Sequence, residues 1–129
     1  MSLSIYDERR PLIATKAIIA ADTTTFVIVV PVSEDARRID ALLITSFSAS
    51  SHILVLRVFD GATEIPIGTA SIPANVGQGG TACLDALAVI IPATIGGLVI
   101  PPSMTLKVGV SVTLSGGDAI QATALGGYF

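Results

Sequence analysis

Few residues in this chain have the type and spacing that chemistry requires. One histidine, His52, cannot build the several-imidazole metal centre that cupin-like sites need, and at the start of an apolar stretch it reads as a polar residue on a strand edge. One cysteine, Cys83, can neither close an intrachain disulfide nor supply a thiolate cluster. It reads as a small buried hydrophobe, and the cysteine count fits a reducing compartment. The ten carboxylates are spread over turns, and only Asp85 has the apolar surroundings that make a carboxyl group a candidate acid. Arg37 and Arg38 form an adjacent cationic pair, but Glu34 and Asp35 neutralise it. The stretch from Ser33 to Arg38 therefore reads as a solvated connection in which Ser33 caps at most one helical turn. Gly77, Gly79 and Gly80 surround Gln78 without the lysine of a phosphate-cradling loop, so this segment reads as a flexible loop. The chain is thus expected to be no enzyme and to carry no cofactor and no metal. Glycan binding is the second function considered, and with no Trp and two Tyr it would have to use Tyr6 or Tyr128 as its platform.

Composition points to association. Only 13% of the 129 residues are charged, against about 25% in ordinary soluble domains, while 51% are hydrophobic. That is thin cover for a free monomer, so part of the surface is expected to be covered by other protein. The net charge of −3, with Lys16, Arg57 and Lys107 scattered, offers no basic footprint for nucleic acid. The uncharged run from Asp85 to Lys107 is long enough for a membrane helix but is interrupted by Pro92, Gly96, Gly97, Pro101 and Pro102, so no membrane span is expected. Residues 1 to 10 mix charges ahead of any apolar stretch long enough for an h-region and do not read as a signal peptide.

Strands must position whatever surface the chain uses. From Met104 to Leu114 apolar residues occupy every second position, the signature of a half-buried strand. Ser115 to Asp118 supply a turn and Ala119 to Leu125 return, so the C-terminus is expected to form a β-hairpin. Phe26, Ile28, Val30 and Val32 alternate with Val27 and Val29, so this strand is apolar on both faces and is expected to meet the core with one and a second layer or partner with the other. Further strands are expected at 13–21, 39–48, 52–59, 65–72 (a short strand pair or one strand kinked at Gly68) and 98–100, with one or two helical turns at 83–89. About eight short strands and at most one short helix, with turns every 8 to 12 residues, define an all-β antiparallel sandwich of jelly-roll-like form. The domain reading is an N-terminal arm at 1–12 and a single sandwich at 13–129. The arm is expected either to fray as a solvated tail or to drape over a neighbour. Tyr6, Arg9, Arg10, Val27, Val29, Tyr128 and Phe129 are the candidate inter-subunit contacts.

One resemblance adds to this. Val58-Phe59-Asp60-Gly61, then Ile67 to Pro73, then Leu98 to Val108 through Pro101-Pro102-Ser103, and the closing Gly-Gly-Tyr-Phe resemble small β-sandwich virion proteins of tailed bacteriophages, of the capsid decoration or cement type. The chain departs from that pattern at Ser103, where glycine is common. The resemblance implies a virion location, a homotrimer near a threefold position, and the major capsid protein or another virion protein as partner. A tail or neck component is the alternative it allows.

Overall fold

The alternating pattern is realised as nine strands in a computed structural model that describes residues 11–91 and 97–128. They are β1 (Pro11–Ile19), β2 (Val27–Val30), β3 (Arg37–Ser46), β4 (His52–Phe59), β5 (Glu64–Ile72), β6 (Leu84–Asp85), β7 (Leu98–Ile100), β8 (Thr105–Val110) and β9 (Ala119–Tyr128). The helix α1 (Ala86–Ile90) follows β6 directly. Asp85 starts it by accepting hydrogen bonds from the N–H groups of Leu87 and Ala88, two of the donors that a helix's first turn leaves unpaired. Among the described residues no helix is long and apolar enough to cross a membrane.

Two antiparallel sheets face each other. Sheet I has the order β1-β9-β3-β6, with β7 also paired to β3, and sheet II has the order β2-β8-β4-β5. The pairs β4:β5, β3:β6, β2:β8 and β1:β9 are nested one outside the other around the β4–β5 turn and fall alternately in sheet II and sheet I. This is one long antiparallel ribbon rolled up until β9 meets β3 and β8 meets β4, the jelly-roll arrangement. The sandwich expected from the sequence is therefore present.

The inner faces supply the core. Leu42 and Ile44 of β3 and Ile120, Ala122 and Ala124 of β9 lie opposite Leu54 and Leu56 of β4 and Leu106 and Val108 of β8, all fully buried. Each fully buried Leu or Ile contributes about 1.5–3 kcal/mol of transfer free energy, enough in number to hold a fold of this size without cross-links. Two glycines permit close approaches. A Cβ on Gly126 would lie 1.8 Å from the Arg38 carbonyl oxygen where β3 bulges, and one on Gly68 would meet the Ile90 side chain of α1.

Several expectations are corrected. β8 and β9 do not form a hairpin. They lie in opposite sheets, and residues 111–118 cross between them. Both strands have one apolar face to bury, and pairing side by side or stacking face to face satisfies that need equally, so alternation alone does not choose. The strand expected to reach Leu114 ends at Val110, and Val112 is exposed while Leu114 is buried. The segment expected to be apolar on two covered faces forms a four-residue strand with a bulge between Ile28 and Val30, which turns Val29 and Val30 inward in succession. Cys83 is exposed, not buried. The glycine-rich loop is tied down: the Ser46 N–H donates to Val76 O, the Gln78 side-chain amide donates to Ser46 O, and Val76 is buried.

Arg37 departs furthest from expectation. Instead of sitting in solvent beside two carboxylates, it is fully buried. Its guanidinium donates to the carbonyls of Pro31, Pro101 (3.1 Å) and Met104 (2.8 Å). Burial lowers its pKa, with Tyr128 and Asp35 opposing that shift. One β3 side chain in sheet I thus ties together the segments that leave β2 and enter β8 in sheet II. Ser33 forms no helix cap. Its hydroxyl accepts from the Asp35 N–H in a local turn.

Candidate interaction surfaces

The two outer faces of the sandwich differ in charge. On sheet II, Glu64 of β5 accepts from Arg57 of β4 at 2.8 Å and from Lys107 of β8 at 3.3 Å. The two cations also lie over rings, Arg57 4.2 Å from the Phe26 centroid and Lys107 4.1 Å from that of Phe59. The hydrogen bond from Arg57 is the main reason the Glu64 carboxyl sits below the ordinary carboxylate range. This face therefore carries its own charge network, with Ile28 and Ile53 half-exposed beside it.

Sheet I carries a single ion pair among the described residues, Arg38 with Asp40 at 2.9 Å at one end of β3, and beyond it an uncharged area. Register places three rows across β1, β9 and β3: Ile13, Leu125 and Ala41; Thr15, Thr123 and Leu43; Ala17, Gln121 and Thr45. None of these nine side chains is charged, and Ile13 is 73% exposed. Their polar groups bond to each other, the Gln121 amide at 3.1 Å and the Thr123 hydroxyl at 3.2 Å both reaching Thr15 Oγ1. At the border of the grid the Asp85 carboxylate is engaged by the Leu42 N–H as well as by α1. β1 is also a nine-residue edge strand, as long as β5 at the edge of sheet II. Lys16 stands on it between inward-facing Ala14 and Ile18, a charge placed where it discourages strand addition.

The third feature is a cleft at one end of the sandwich, with a volume of about 370 Å³. Three segments deliver hydroxyls to it: Ser50 and Ser51 from the β3–β4 turn, Ser71 from β5, and Ser111, Thr113 and Ser115 from the crossing after β8. His52, Ile53 and Val112 complete the lining. Behind it, the fully buried Ser48 hydroxyl donates to Asp118 Oδ2 at 3.0 Å. Its single proton is thereby used, so His52 Nε2 at 2.9 Å and the Ser50 N–H at 3.2 Å are its donors. Acyl-transfer triads are wired differently, with the imidazole taking the serine proton and the carboxylate holding the imidazole. Here Asp118 holds the serine, and the cluster clamps the β3–β4 turn to the crossing loop. Among the described residues, no group of three or more His, Cys, Asp or Glu side chains could hold a metal ion.

Of the contact residues expected from sequence, the three that the structure describes form no exposed patch. Val27 and Val29 point into the core, and the outward positions of that strand belong to Phe26 and Ile28. Tyr128 is half-buried against the core and is no open platform for a sugar. Tyr6, Arg9, Arg10 and Phe129 lie outside the described residues. The uncharged grid escaped the sequence reading because it exists only once β1, β9 and β3, far apart in the chain, become neighbours. Its signal on β1 was the uncharged series Ile13, Thr15, Ala17 and Ile19 at every second position. Comparison with known proteins finds no matching family model, no matching curated protein and no matching solved structure.

Proposed function

We propose that this protein is a structural subunit that works by association and not by chemistry, self-associating through the outer face of sheet I and, in a phage particle, decorating or bridging shell subunits. The observation that carries the first part is the uncharged nine-residue grid in a molecule whose other outer face is charged. A flat face of Ile, Leu, Ala, Thr and Gln loses little on desolvation, and a second copy of the same face matches it without stranding a charge. The virion assignment, the capsid partner and the trimer rest on the sequence resemblance. Jelly rolls do occur in viral capsid domains, a fold-level analogy that is compatible with the assignment and no more. A tail or neck component would use the same face.

Light scattering coupled to size exclusion, at low micromolar concentration, is the test. A mass above that of the 13.1 kDa chain is expected. A monodisperse monomer would remove the proposal, whereas a dimer would remove the trimer and leave self-association standing.

A further inference from the structure

We infer that the hydroxyl-lined cleft is a binding site for a neutral, polyhydroxylated ligand, a single sugar or the end of a short saccharide. The site is separate from the tyrosine-based one considered from sequence and from the self-association face. Its volume of about 370 Å³ is that of a small-ligand pocket. Five of the chain's eleven serines line it, and they come from separate segments of chain.

The chemistry of the lining selects the ligand. Ser and Thr hydroxyls both donate and accept, which is what a ring of sugar hydroxyls requires. No Lys, Arg, Asp or Glu lines the cleft, and the carboxylate behind it, Asp118, disfavours an anion. A purely apolar ligand would leave six hydroxyl side chains without partners, a cost that grows with each group buried. His52 is fixed with its Nε2–H given to buried Ser48, so its Nδ1 is an acceptor with no partner among the described residues. Ile53 and Val112, 45% and 67% exposed, offer the apolar contact that the C–H faces of a sugar can use.

The test is saturation-transfer difference NMR on the full chain with glucose, galactose, mannose and N-acetylglucosamine, each titrated alone, and with sulfate as a competing anion. At least one sugar should show saturable binding with a dissociation constant of roughly millimolar order. Ser71→Leu should weaken it at least about tenfold, a loss of 1.4 kcal/mol or more. Ser71→Thr, which keeps the hydroxyl, should retain it, and circular dichroism should show both variants folded. Absence of saturation with all four sugars would overturn the inference. So would competition by sulfate, or equal binding by parent and Ser71→Leu. Because the cleft shares no residue with the sheet I grid, Thr123→Asp should leave sugar binding intact even if it dissolves an oligomer.

Discussion

At the scale of single residues, the side chains that matter most here are those whose partners are remote in sequence. Arg37 looked solvated because its near neighbours are Glu34 and Asp35, but two of its three carbonyl partners lie 64 and 67 residues away. Arg37→Met keeps the volume of the stem and strands three inward carbonyls. We expect a loss of about 3 kcal/mol in urea unfolding, since each buried unpaired polar group costs about 1–3 kcal/mol. Glu64 makes a second prediction. Its carboxyl is held below the ordinary carboxylate range, first by Arg57 and then by Lys107, and Asp60 is held low by the N–H groups of Thr63 and Ala62. A group with a depressed folded value stabilises the fold above its unfolded value, about pH 4, and loses that contribution as the pH falls through the folded value. Glu64→Gln should therefore lower the urea midpoint at pH 7 relative to the parent. The difference should shrink as the pH falls through the depressed folded value of Glu64 and vanish below it, where both carry a neutral side chain.

At the scale of elements, local period and turn chemistry carried most of the information. β4 and β7 have the bounds read from sequence, and the buried positions Leu54, Leu56 and Val58 alternate as expected. Where the reading failed, a bulge or a crossing intervened: Ile28/Val30 in β2, and the departure from β8 after Val110. Neither leaves a local mark that distinguishes it from a continuing strand. The Pro101-Pro102-Ser103 turn is a case in which the sequence departure and the structure agree. Ser103 has φ +69°, a left-handed conformation that costs an L-residue about 1–2 kcal/mol and glycine almost nothing. Its N–H still bonds Ser33 O at 2.8 Å, so glycine would keep the contact. Ser103→Gly should raise stability by roughly 0.5–1 kcal/mol after its extra unfolded-chain entropy is set against the relieved strain, readable as a higher melting temperature.

At the scale of the whole molecule, alternation specified two apolar inner faces and left open which strand lies beside which. The nested ribbon β4:β5, β3:β6, β2:β8, β1:β9 is a set of long-range choices, and the surfaces follow from them. Low charge in the sequence predicted a covered face without locating it. The topology assembles an uncharged area on sheet I from β1, β9 and β3, beside the Arg38–Asp40 pair, and leaves the Glu64 network on the other side. The hydroxyl cleft has the same origin, since His52 and Ser48 are close in sequence but Asp118 arrives only through the crossing between the sheets.

The most direct test of this account compares oligomer mass for two surface variants by light scattering at matched concentration. Thr123 is the centre of the sheet I grid and makes one hydrogen bond there, to Thr15. Ile28 is half-exposed on sheet II. Thr123→Asp places a charge in the middle of the self-matched face and should yield a folded monomer, destabilised by no more than about 1 kcal/mol for the lost hydrogen bond. Ile28→Asp should keep the parent's oligomer. The account is contradicted if Thr123→Asp retains the parent mass, or if Ile28→Asp is the variant that falls apart.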